Sequence, residues 1–397
     1  MLDFHKLIAQ IEEVGKESLV DRSPGEKVLS EAVSACYDAA SSPGEMGDRL
    51  ERNQAWVLWP LALPLEPFGS TFEIDTPRTE AVTVVATDGS QIMPSHHEVY
   101  SCYLLNIGIA VISYGAKLAP VLTSEPRLYH RPEDLYPLVD RRRLHIDELF
   151  VSLERNLLEL DTLSHTCLEA SERSLPVVAL LDGSLIPWSV EKMPASYQYD
   201  YLQRMEAAIE PLRTCSIPLV GYLSHSRSSD VVNALRVWKC PYPVSHCHEL
   251  CGHLNEEQFP CSGIWPLADR QLFQAILPKG HRTCIFLSGA SVARSLATQH
   301  RTCFAYFNVG YEVARLEFPR WLAEDRRLME RAFRSVGAQV EKGRGYPVAL
   351  AEAHNLAVIR STDRERFFDL LSRHLVSLGV DRVSVSPKES RKRRGIV

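Results

Sequence analysis

Apolar residues at Phe4, Leu7, Ile8 and Ile11 are spaced three and four apart, which predicts a helix at the start of the chain. The stretch GEKVLSEAVSACYDAA continues the helical period, and SSPGEMG breaks it. LWPLALPLEPFG is rich in proline and reads as a linker or an extended wrap. From residue 81 the texture changes. AVTVVATDGS reads as a strand ending in a turn, and HEVYSCYLLNIGIAVISYG as two further strands with Gly108 and Gly115 as bulge or turn points. A long amphipathic helix is expected over about 141–171, then the strand PVVALLDGS, too apolar for an exposed edge. The helix DYLQRMEAAIEPLRTC, the strand PLVGYLSH and the alternating stretch CFAYFNVGYEVARLEFP follow, and the chain closes with helical segments from 320 onward. Strands before and after each helical block predict an α/β fold with a mixed sheet.

With 45% apolar and 24% charged residues among 397, the chain has the composition of a globular protein with one sizeable core or two. The net charge of −6 gives no general hint of nucleic acid, though a local basic groove remains compatible with it. The first residues mix acids and bases and lack an apolar leader core. The most apolar run, CYLLNIGIAVISYGAKLAPVL, is interrupted by Asn106, Gly108, Gly115 and Lys117 and reads as strands, not a membrane span. The expected location is the cytoplasm.

The candidate chemistry begins with a repeated phrase. VVATDGSQ ends on Asp88-Gly89-Ser90, and VVALLDGSL on Asp182-Gly183-Ser184. A carboxylate at the end of a buried strand is held rigidly, and two on neighbouring strands can share a hard divalent ion such as Mn²⁺ or Mg²⁺. Such ions stabilise the attacking and leaving oxygens in phosphodiester cleavage. Glycine after the aspartate permits a sharp turn or a close approach. Taken singly, Asp-Gly-Ser after a strand is also an ordinary turn.

These two phrases resemble the NurA family of DNA-repair nucleases. The resemblance rests on their order with a long glutamate-bearing helix, PLVGYLSHS, LADRQLFQAIL, ARLEFPRWL, GYPVALAEAH and SVSPKES, and spans roughly 80–390. It implies an RNase H-like mixed sheet flanked by helices, with an N-terminal helical region and linker over 1–75, a nuclease domain over 76–390 and a basic tail over 391–397. It further implies a Mn²⁺-dependent (or Mg²⁺-dependent) nuclease with 5′–3′ exonuclease and single-strand endonuclease activity on DNA, acting in double-strand break repair. A homodimer and a HerA-type ATPase translocase are the implied partners. By position, Asp88 is the first metal ligand and Asp182 the second. Glu159 is the helix-borne third, with Glu154 as the alternative. His354 matches the family's late histidine and Tyr346 its tyrosine. His354 suits metal binding or protonation of the leaving oxygen, and Tyr346 a hydrogen bond to phosphate or water. Taken alone, His354 reads as a packed helical histidine.

The family often places a lysine after PLVGYL, where this chain has Ser224-His225-Ser226-Arg227. Arg315 and Glu317 read first as a structural ion pair. Two other readings stay open: a catalytically weak subunit that binds DNA or assembles a repair complex, and a metal-dependent phosphoesterase acting on a smaller substrate.

One segment lies outside this scheme. Residues 238–263 carry Cys240, Cys247, Cys251 and Cys261 with His246, His248 and His253 interleaved. Four thiolates can hold Zn²⁺ or an iron–sulfur cluster, although the C-x6-C-x3-C-x9-C spacing matches no familiar zinc finger. A proline-rich, polar insertion has little apolar core of its own, so a metal would explain how it keeps its shape. A loop with free cysteines is the other reading.

Overall fold

The computed structural model describes residues 3–20, 22–75, 81–94, 100–173 and 175–379. The basic tail over 391–397 and the SVSPKES element lie outside the described residues. The chain divides into two compact units, one joining 1–74, 223–294 and 301–316, the other joining 75–222, 295–300 and 317–397. The region expected as one nuclease domain over 76–390 thus contributes to both units, and the N-terminal helices share their unit with residues 223–294.

In the first unit the helices Arg22–Ser41 and Pro43–Asn53 pack with the helices Asp230–Lys239 and Asp269–Ile276. Their apolar faces meet in a core that includes Ala32, Leu50, Leu235, Leu272 and Phe304. The stretch read as a linker or an extended wrap supplies the short strand Ala62–Pro64, and a second, Thr71–Glu73, follows it. These pair antiparallel with Phe286–Ser288 and His281–Thr283. Arg315 is wholly buried, paired to Asp230 at 2.5 Å and lying over the Phe304 ring.

The second unit is built on a run of five neighbouring strands of a mixed sheet. Its elements are β1 (Val82–Ile92), β2 (Tyr103–Tyr114), β3 (Val121–Tyr129), α1 (Glu148–Ser171), β4 (Val177–Asp182), α2 (Ala195–Thr214), β5 (Leu219–Leu223), α3 (Arg326–Lys342) and α4 (Val348–Ala357). The strand order is β3-β2-β1-β4-β5. β1, β2 and β3 pair antiparallel, while β4 and β5 continue parallel to β1. This is the RNase H-like mixed sheet flanked by helices that the sequence led us to expect.

The first half of β1 is buried on both faces, which explains its unbroken apolar run. Successive strand residues point to opposite faces. Thr87 donates its Oγ1 hydrogen to the Glu159 carbonyl of α1 at 3.1 Å, whereas the neighbouring Asp88 meets His354 of α4. α1 and α4 therefore cover opposite faces of β1. The Asp147 side chain accepts from the Phe150 amide and caps α1.

The expected turn at Gly89 and the bulge or turn at Gly108 are not found. β1 runs straight through Asp88-Gly89-Ser90 to Ile92, and Asp88 pairs with Gly108 in mid-strand. Gly108 is glycine because α4 rests on its backbone. A Cβ there would strike the Ala353 carbonyl and come within 2.5 Å of the Ala357 amide nitrogen. α4 is also fixed at both ends. Its Ala349 amide donates to Gln339 Oε1 of α3, and Gln339 in turn donates to the Tyr114 hydroxyl at 2.8 Å. At its far end the Ala357 carbonyl accepts from Ser90 Oγ and from Asn106 Nδ2.

Gly108→Ala should therefore lower stability by about 1–3 kcal/mol, the usual cost of forcing extra atoms into a packed site. The measurement is chemical denaturation. An unchanged midpoint would show that α4 does not depend on close contact with β2.

Candidate active site

Asp88 and Asp182 stand on neighbouring parallel strands. Thr87 pairs with Leu181, so the next residue on each strand is an aspartate at the same level and on the same face. That face is covered by α4. His354 Nδ1 lies 2.7 Å from Asp88 Oδ2, with the imidazole more than half exposed and the carboxylate mostly covered. The Gly89 amide donates to Asp88 Oδ1 at 2.8 Å. Tyr346 hydrogen-bonds Asp182 with its hydroxyl. Its ring is held edge-on against the buried Tyr222 at 5.5 Å. A backbone of positive φ at Arg344 and Gly345 brings the chain round to this tyrosine.

Glu159 approaches from the opposite face. Its Oε1 occupies the place where a Cβ of residue 89 would be. Gly89 is therefore a window: only a residue without a side chain lets a carboxylate from α1 come against the β1 backbone beside Asp88. The second copy of the phrase differs. Gly183 has φ +117° with open space around it, so here the glycine does serve a turn.

Glu159 is almost fully buried, and its pKa is pushed up to about 8. Burial is the main cause, and the charges of Asp88 and Asp182 push the same way, against the opposing pull of Arg155. Arg155 Nε lies 3.0 Å from Glu159 Oε1, one helical turn away. The pKa of Asp182 is also raised, first by desolvation and then by Asp88, with Tyr346 and His354 opposing.

Glu154 belongs elsewhere. It accepts both Arg204 nitrogens at 2.9 and 2.7 Å and the Tyr197 hydroxyl at 2.8 Å, tying α1 to α2. Of the two glutamates, Glu159 is the one gathered with Asp88, Asp182, Tyr346 and His354. The serines of the repeated phrase are structural: Ser90 caps α4, and Ser184 donates to Glu317 at 2.7 Å.

Three oxygen donors with a histidine beside them suit a hard divalent ion. Burial disfavours the charged form of Glu159, and the nearby Asp88 and Asp182 charges add to that penalty, which a bound cation would offset. Each carboxylate is meanwhile turned to a neighbour in the protein: Asp88 to His354, Glu159 to Arg155 and Asp182 to Tyr346. Among the described residues no three His, Cys, Asp or Glu side chains are gathered tightly enough to hold one ion as they stand.

In the first unit, Cys247, Cys251 and Cys261 are buried and Cys240 partly so, all four as free thiols. The Cys247 thiol is pushed up to about 11, by burial first and then by Cys261, Cys240 and Cys251. It accepts a hydrogen bond from the Leu58 amide. Cys251 is influenced in the same direction by Cys261 and Cys240, so the four thiols lie within electrostatic reach of one another. Where a lysine was expected, Ser224 Oγ and the His225 amide both donate to Glu312 at 2.9 Å.

Three contributors escaped the reading of the sequence. Gly108 and Asn106 form the seat of α4, and Gln339 fixes its start. Arg155, four residues before Glu159, was the reason that the sequence favoured Glu159 over Glu154 by the family's pattern, and the two side chains do pair.

Because burial and like charge raise the Glu159 pKa, folding favours its protonated form. That stabilisation is complete below about 4.5, the ordinary value, and is lost as pH rises through about 8. Metal-free wild type should thus melt at progressively lower temperature between these limits, and Glu159→Gln should flatten the profile. Thermal melts in chelator across this range test it, and superimposable profiles would contradict the assignment.

The NurA domain model matches residues 82–359. No curated protein matches the chain. Among solved structures, the chain is similar to the NurA nuclease from Sulfolobus solfataricus, with 12% identity, TM-score 0.44 and coverage of 77% of this chain and 88% of that one. It is similar to a NurA with manganese at 10% identity and TM-score 0.37, covering 77% of this chain and 91% of that one. It is also similar to the catalytic domain of human Endonuclease V at 16% identity and TM-score 0.31, covering 76% and 91%. The family model covers well over half of the chain, and the chain belongs to the NurA family of nucleases.

Proposed function

We propose that this protein is a Mn²⁺-dependent (or Mg²⁺-dependent) nuclease that cuts DNA, with 5′–3′ exonuclease and single-strand endonuclease activity, in the processing of double-strand breaks. The observation that carries the reading is the meeting of Asp88, Asp182 and Glu159, made possible by the missing side chain at Gly89. Asp88, Glu159 and Asp182 would hold the metal, with His354 at its edge. A bound divalent ion lowers the pKa of water and offsets charge on the phosphate oxygens.

The chain's own groups do the rest. Tyr346 holds Asp182 in orientation through its hydroxyl. His354 is anchored through Nδ1 by Asp88, which leaves Nε2 to carry a proton to the leaving oxygen. Arg155 balances Glu159 and offers positive charge to a phosphate. A homodimer working with a HerA-type ATPase translocase is the proposed assembly. No described helix is long and apolar enough to cross a membrane.

The test is incubation of purified protein with labelled single- and double-stranded DNA in Mn²⁺, Mg²⁺ or chelator. Wild type should release product with metal and none in chelator. Asp88→Ala and Asp182→Ala should each lose activity by at least about a hundredfold, the scale expected when a group acting directly on the reaction is removed. Negligible product from wild type under every metal would favour a DNA-binding or assembly subunit. Cleavage of small phosphodiesters but not DNA would favour a phosphoesterase.

A second reading concerns Cys240, Cys247, Cys251 and Cys261: a thiolate-bound Zn²⁺ or iron–sulfur centre that shapes residues 238–263, favoured by the electrostatic influence of these thiols on Cys247 and Cys251, although among the described residues no three are placed to hold one ion as they stand. Elemental analysis and the visible spectrum of protein purified without air should show zinc, or iron with colour, in proportion to protein. Cys247→Ser and Cys251→Ser should lose it. Protein containing neither metal would overturn this reading.

A further inference from the structure

We propose that the second unit carries a binding pocket for one unpaired nucleotide, beside the carboxylates and lined by Trp188, through which the protein recognises single-stranded DNA ends. The proposal rests on the nuclease reading above and adds to it where the substrate's base goes.

A cavity of about 310 Å³ opens on the α1 side of the carboxylates. Asp182 and Glu159 are among its lining residues, so it adjoins two of the three carboxylates. Arg155 and Asn156 of α1, and Trp188 and Ser189 of the loop after β4, line it as well. His354 and Tyr346 are not among the lining residues, so the cavity is separate from the α4 side of the site.

The loop bearing Trp188 is built firmly. Beyond the Gly183 turn, Ser184 Oγ and the Leu185 amide both donate to the buried Glu317 at 2.7 and 2.9 Å. The Ile186 amide then donates to Ser184 Oγ, and the Trp188 amide to the Ile186 carbonyl. Trp188 thus starts a short 3₁₀ turn on an anchored loop, yet 40% of its surface is exposed. A large aromatic left open on an anchored loop, lining a cavity that also bears two acids and a guanidinium, has the parts of a stacking platform.

The ligand follows from this chemistry. A nucleobase presents an apolar face for the indole and polar edges for Asn156 and Ser189, and its phosphate lies toward Arg155 and the carboxylates. A cavity of this size is at the small end of ligand pockets and suits one nucleotide, not a base pair. A duplex end would have to give up its terminal pair before entering, which costs unpairing energy and favours single strands or frayed ends.

The experiment uses the full chain with a single-stranded oligonucleotide carrying 2-aminopurine at its terminus, in chelator so that no cleavage occurs. Wild type should quench the terminal fluorescence on binding, Trp188→Phe should retain the quenching and Trp188→Ala should lose it. In Mn²⁺, Trp188→Ala should raise KM for single-stranded DNA by roughly tenfold or more, the loss expected when one base loses its stacking partner. KM should rise more than kcat falls, and the preference for frayed over blunt duplex ends should shrink. Ser189→Glu, at an exposed position, should weaken binding by placing a carboxylate at the mouth without removing packed atoms. This second variant keeps the test decisive if Trp188→Ala does not fold. Equal quenching by wild type and Trp188→Ala, or unchanged KM in both variants, would overturn the pocket while the nuclease reading stands. Quenching lost with Trp188→Ala in a protein whose wild type cuts nothing would support the pocket and remove the nuclease reading instead.

Discussion

A carboxylate buried beside two others is costly to ionise, because water is removed from it while like charge is brought near. Glu159 is in that position, with Asp88 and Asp182 as its neighbours. The architecture of the second unit serves to keep it there. Parallel pairing of β1 and β4 places the two aspartates at one level. Gly89 removes the one side chain that would keep α1's carboxylate away. Arg155, His354 and Tyr346 each hold one member of the trio. Burial together with like charge, which would weaken an ordinary core, makes a demand for positive charge here.

That demand explains the care with which α4 is placed. It contributes His354, and it is seated on Gly108, started by Gln339 and capped by Ser90 and Asn106. Ser90 belongs to the same Asp-Gly-Ser phrase as Asp88, so consecutive residues of β1 supply a candidate ligand, a window for Glu159 and an anchor for α4. The second copy divides its work differently, giving Asp182, a turn at Gly183 and an anchor to Glu317. The anchored loop then presents Trp188 to the cavity.

Much of this was legible in the sequence. The two apolar approaches to aspartate and the long helix between them led to the mixed sheet and to Asp88 and Asp182, while Glu159, Tyr346 and His354 were named through the resemblance to the NurA family. What was misread follows from the limits of local pattern. A glycine after aspartate signals a turn by its neighbours, yet Gly89 is glycine because of Glu159, seventy residues on. Gly108 reads as a break in an apolar run, yet the run continues through it because α4 needs bare backbone. Proline marked 58–69 as a linker or an extended wrap, and pairing with residues far along the chain makes a strand of Ala62–Pro64 within it. Each is a partner distant in sequence overriding a local signal.

The central claim is that Asp88, Asp182 and Glu159 act together on one divalent cation. The most direct measurement is anomalous X-ray diffraction from crystals soaked in Mn²⁺, whose binding would itself favour the ionised form of Glu159. The account predicts a manganese peak bonded by oxygens of all three side chains, with Glu159 released from Arg155. A peak bonded by none of the three, or no peak at saturating Mn²⁺, would contradict it.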